Sequence, residues 1–77
     1  MKDIMESKVL KIINEIRAAK SLEPVAKLKK ETRLREDLSL TSFDLAELTV
    51  KIEDDFDIDI FEDGLVNTIG DIFAKLS

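Results

Sequence analysis

Apolar positions recur with a helical period in three stretches of the chain. In the first, Met5, Val9, Ile12, Ile13, Ile16 and Ala19 share one face at roughly 100° per residue. Asp3 followed three residues later by Glu6 makes a capping pattern, which predicts a first helix over about residues 4–19. In the second, Leu45, Leu48, Thr49, Ile52 and Phe56 fall in one broad sector and should face a core. Thr41 is suited to accept an orphan backbone N–H as N-cap, and Asp44 completes a capping box, so Ser42 belongs to the first turn. In the third, Thr68 and Asp71 repeat that capping pattern, and Ile69, Ile72, Phe73 and Leu76 line one side.

Between the first two helices runs a long connection, residues 20–33, broken by the sole proline, Pro24, which drives Glu23 out of helical geometry. Leu22, Val25 and Leu28 can tuck against the core, and a short helical turn is expected around residues 24–30. Leu34, Leu38 and Leu40 then bring the chain back inward. Asp57-Ile58-Asp59-Ile60-Phe61 alternates like a strand, but the chain offers it no partner, so an extended connector pinned by its isoleucines is expected. These parts predict a single all-α domain over residues 1–77. Its form is a small antiparallel helical bundle of three main helices with a long first loop. There is no internal repeat and no low-complexity segment.

One buried face leaves part of the second helix unexplained. Phe43, Ala46 and Val50 cluster nearly opposite the core sector, flanked by Glu47 and Asp54. This is a narrower apolar stripe edged with acid.

Composition narrows the chemistry. A chain of 77 residues buries only about 60% of its surface on folding. It has no cysteine and no histidine, which removes disulfides, thiol chemistry and the commonest general base and metal ligand. Ser42 therefore has no histidine to activate it for triad-type catalysis, and no enzymatic activity is expected. Asp55, Asp57 and Asp59 imitate the start of a calcium loop, but Ile60 and Val66 stand where the loop requires glycine and glutamate. The start of the chain opens no long apolar run, so a cytoplasmic protein without a membrane span is expected. The net charge of −5 conceals an asymmetry: residues 1–35 hold ten Lys/Arg against five Asp/Glu, and residues 36–77 hold two against twelve. The acidic half repels nucleic acid and favours basic protein surfaces. The basic cluster of Lys27, Lys29, Lys30, Arg33 and Arg35 lacks interleaved aromatic residues to stack on bases, and reads as a solvated loop.

The stretch Leu34-Arg35-Glu36-Asp37-Leu38-Ser39-Leu40-Thr41-Ser42-Phe43, with the acidic helix that follows and Phe56-Asp57-Ile58-Asp59-Ile60 at its end, resembles acyl carrier proteins around their phosphopantetheine-attachment serine. The family pattern there is close to aromatic-x-x-Asp-Leu-Gly-x-Asp-Ser-Leu. The resemblance implies that Ser42 carries 4′-phosphopantetheine, placed there from coenzyme A by a phosphopantetheinyl transferase that brings its own magnesium. It further implies that Phe43, Ala46 and Val50, with Asp44, Glu47, Glu53 and Asp54, form the surface met by acyl-transfer or synthase enzymes with basic docking patches. The resemblance also implies a short third helix over residues 62–67, where this chain is about two residues shorter than the family and carries Gly64, so a short or vestigial helix, reduced to a turn, is expected there. A monomer is expected. Three positions depart from the pattern: Thr41 replaces an aspartate, Ser39 a glycine and Phe43 a leucine, which points to a specialised fatty-acid or polyketide-type carrier. A carrier of aminoacyl or peptidyl groups, or an unmodified acidic helical interaction module, are the alternatives.

Overall fold

Helices form where the apolar periodicity places them. In the computed structural model, which describes residues 2–60 and 66–76, the order is α1 (Lys2–Ala19), α2 (Ser42–Phe56) and α3 (Ile69–Leu76). Among the described residues there is no strand, only an isolated antiparallel bridge between Arg33 and Thr68. The expected short helix over residues 62–67 falls largely on residues 61–65, outside the described residues. One boundary is corrected: α1 starts ahead of Asp3, so Asp3 lies in its first turn instead of capping it.

The core joins Val9, Ile12, Ile13 and Ile16 of α1 to Leu45, Leu48 and Ile52 of α2 and to Ile69 and Ile72 of α3. Leu34, Leu38, Leu40, Ile60 and Val66 close it from the connections. At the margins of the predicted faces Met5 and Thr49 are half-buried and Ala19 is exposed. Thr49 returns its hydroxyl proton to the Leu45 carbonyl at 2.8 Å, which satisfies a polar group at the edge of an apolar face. Phe56 packs against the core from its rim, and Lys8 lies over its ring at 5.8 Å.

The helix ends are made without glycine. At the end of α1, Leu22 N–H donates to Arg17 O at 2.9 Å and Ser21 N–H to Ala18 O at 3.0 Å, with Ser21 at φ 62°. That is the Schellman pattern, whose left-handed residue is usually glycine. Asp57, at φ 58°, closes α2 in the same conformation, its N–H bonded to Glu53 O. Neither of the two glycines in the chain stands at these positions.

No helical turn forms around residues 24–30, contrary to expectation. Instead the Asn14 side chain donates to Val25 O at 3.0 Å and accepts from Val25 N–H at 2.7 Å, which satisfies both backbone groups of Val25 without a turn. The chain then runs beside the start of α3. Leu34 N–H donates to Asn67 O, Ile69 N–H to Thr32 O and Gly70 N–H to Lys30 O, at 2.9–3.0 Å. Orphan donors of the α3 first turn are thus satisfied by the long loop. Gly70 permits this approach, since a Cβ there would stand 3.1 Å from Lys30 O. The predicted cap of α3 also forms, with Thr68 N–H donating to Asp71 Oδ2 at 3.1 Å and Asp71 N–H to Thr68 Oγ1 at 3.2 Å.

Leu48 is fully buried between the helices, whereas Val50 is 64% exposed on the same helix. Leu48→Ala is expected to lower the unfolding free energy by about 2–5 kcal/mol, and Val50→Ala by less than about 0.5 kcal/mol. Urea denaturation followed by circular dichroism measures both; equal losses would contradict the assignment of the two faces.

Candidate functional site

The site is assembled by the last turn of α1 acting on the approach to α2. Arg17 donates to the carbonyls of Leu38 and, through Nε, Glu23. Lys20 Nζ donates to Ser39 O at 2.6 Å and to Asp44 Oδ2 at the same distance. These two cations fix the carbonyls that lead into Thr41. Ser39 is held at φ 59°, a left-handed conformation that glycine adopts more readily than serine.

Thr41 then caps α2 as the sequence predicts. Its hydroxyl accepts from Asp44 N–H at 3.2 Å, and Asp44 Oδ2 accepts from Thr41 N–H at 2.9 Å, a complete capping box. Ser42 is the first residue of the helix and is exposed. Its Oγ accepts a hydrogen bond from Arg35 Nη2 at 2.8 Å. Among the described residues no acceptor meets the N–H groups of Ser42 and Phe43. The hydroxyl is accordingly presented to solvent beside a guanidinium and free backbone donors.

Asp44 differs from the expectation of an outward-facing acid. It is 6% exposed, and its carboxylate is spent on the cap and on Lys20. The Lys20 ammonium first, and the Thr41 N–H second, hold its pKa below the usual carboxylate value. Asp37 is likewise lowered, chiefly by accepting from the Arg33 N–H in the turn before the site.

The remaining residues of the acidic stripe do face outward. Phe43 is 79% and Val50 64% exposed, and Ala46, Glu53 and Asp54 are exposed while Glu47 is half-buried. Phe43 and Val50 stand seven residues apart on one helix, a rise of about 10 Å. The stripe therefore begins beside Ser42 and runs down α2 with acids on its border. At the far end of α2 lies a separate apolar groove of about 870 Å³, lined by Ile4, Met5, Leu28, Phe56, Phe73 and Leu76 among others. Of the aspartates in the calcium-like run, Asp55 lies in the last turn of α2 and Asp57 is its C-cap.

Two contributors escaped the sequence reading. Arg35 reads in sequence as part of a solvated basic loop, and Lys20 gives no signal, since its partner is 24 residues away. For Arg35 a weak signal exists in retrospect: a basic residue in the turn that delivers the chain to the capped serine. Compared with known protein families, curated proteins and solved structures, the chain matches none. No helix among the described residues is long and apolar enough to cross a membrane.

Because its folded pKa lies below the unfolded value, Asp44 adds stability above the carboxylate range and loses it as pH falls through the folded pKa. Asp44→Asn is therefore expected to be less stable than wild type at neutral pH, with the gap narrowing below about pH 4. Urea midpoints of both proteins across that range test this; a gap independent of pH would show that the ion pair contributes nothing.

Proposed function

We propose that this protein is a carrier that holds acyl intermediates as thioesters on a 4′-phosphopantetheine arm attached to Ser42. The observation that carries the reading is the exposed Ser42 hydroxyl on the first turn of α2, within a stretch that resembles the attachment segment of acyl carrier proteins. Two features support it independently of that stretch's composition. Ser39 has a positive φ at the position where carriers have glycine. Among the described residues no acceptor meets the N–H groups of Ser42 and Phe43, a favourable setting for the negative charge of a phosphodiester.

In this reading a separate transferase supplies magnesium and the catalytic base. Ser42 Oγ bonds to the β-phosphorus of coenzyme A, the bond from that phosphorus to the adenosine 3′,5′-bisphosphate leaving group breaks, and the hydroxyl proton passes to the base. The carrier itself catalyses nothing; tethering raises the effective concentration of the intermediate at successive enzymes. The antiparallel disposition of the bundle, its short third helix and a cytoplasmic, monomeric existence belong to the same proposal.

Partner enzymes would meet Phe43, Ala46 and Val50 bordered by Glu47, Glu53 and Asp54. Asp44, with its carboxylate turned inward, acts on that surface by holding the helix end in place. The neutral Thr41 and the large Phe43 favour a specialised carrier with dedicated partners.

Co-expression with a promiscuous phosphopantetheinyl transferase is expected to add the mass of one phosphopantetheine, and Ser42→Ala to abolish the addition. An unchanged wild-type mass would favour the unmodified interaction module. Reversing charge with Glu53→Lys and Asp54→Lys together is expected to slow loading about three- to tenfold at low salt, with the difference fading as salt rises. Loading rates at two ionic strengths, with thermal stability as a control, measure it.

A further inference from the structure

Arg35 Nη2 donates to Ser42 Oγ at 2.8 Å across seven positions of chain. The fold does not require this bond. Both residues are exposed, the cap of α2 is supplied by Thr41 and Asp44, and the turn that holds Arg35 is secured by the burial of its neighbour Leu34 and by Asp37, whose carboxylate accepts from Arg33 N–H. Arg33 has carboxylates in its own turn, pairing with Glu36 and Asp37 at 3.4 and 3.6 Å. Arg35 instead spends its guanidinium on a neutral hydroxyl.

We infer that Arg35 is a positioning residue for the covalent modification of Ser42, an inference that rests on the carrier reading. A serine hydroxyl has two acceptor lone pairs and one proton. The guanidinium occupies one lone pair and fixes the side-chain rotamer. The other lone pair is left to attack phosphorus, and the proton is left for the transferase base. A fixed cation beside the oxygen also favours the negative charge that develops as the proton leaves. Once the ester has formed, the phosphodiester anion lies within reach of the same guanidinium, a charge-assisted pairing stronger than the bond to the hydroxyl. The neighbours Thr41 and Phe43 are uncharged, and the Asp44 carboxylate is held by Lys20, so the charge directly bonded to the attachment oxygen is positive. A transferase that loads this chain must therefore accept a cation at the serine.

The full chain, coenzyme A, magnesium and a promiscuous transferase suffice for the test, with intact mass followed in time. Arg35→Gln is expected to lower kcat about tenfold, the loss of a charged hydrogen bond, with KM changed by less than about twofold because the removed interaction acts on the reacting oxygen. Arg35→Lys should recover kcat to within about threefold of wild type, because it restores the charge and a donor without the planar fork. Lys29→Gln, which removes an exposed cation from the same loop, should leave both constants unchanged. Circular dichroism confirms that each variant folds. Wild-type kcat in Arg35→Gln, or an equal loss in Lys29→Gln, overturns the positioning role while leaving the carrier reading intact. A wild-type chain that gains no mass overturns both.

Discussion

The carboxylate of Asp44 is shared between the Thr41 N–H, 2.9 Å away, and the Lys20 ammonium, 2.6 Å away. Much of the arrangement around α2 depends on that double engagement. A carboxylate so little exposed must be both paired and hydrogen-bonded to remain charged, and here each partner does structural work elsewhere. Thr41 starts the helix. Lys20 also grips the Ser39 carbonyl, while Arg17, one turn earlier, grips that of Leu38. Both cations come from the end of α1, where the helix dipole favours positive charge. The C-terminus of one helix thereby determines where the N-terminus of the next begins.

With its start held, α2 divides its apolar residues between two environments. Leu45, Leu48 and Ile52 are buried against α1 and the connecting leucines, and Phe43 and Val50 remain in solvent. A cylinder with 3.6 residues per turn cannot turn both stripes inward against one core. Ser42 stands where the exposed stripe meets the helix end, so an exposed hydroxyl and an exposed apolar stripe share one helix.

The partition of charge along the sequence acquires meaning only in space. Read linearly, a basic first half precedes an acidic second half. Folded, Lys20 crosses to Asp44, Arg33 stays with Glu36 and Asp37, and Arg35 turns to an uncharged serine. What remains outward on α2 is acidic through Glu53 and Asp54. The exposed ion pairs contribute little to stability; their consequence is to decide which charges face the solvent alone.

The three helices, the two capping boxes and most of the core could be read from residue order. Periodicity and caps depend on neighbours three or four positions away, and Val9, Ile12, Leu48 and Ile72 have no other face to occupy. The exposure of Phe43 and Val50 follows from the same geometry. The path of residues 20–33 could not be read, because Asn14 replaces the local bonds of the loop with its own. Nor could the left-handed residues, because Ser21, Ser39 and Asp57 occupy positions that glycine usually marks. Tertiary structure alone decided that Asp44 faces inward, that Lys20 is its partner, and that Arg35 reaches Ser42. Those contacts join residues whose separation along the chain carries no periodic signal, and they exist only once burial of the apolar faces has brought α1, the loop and α2 together.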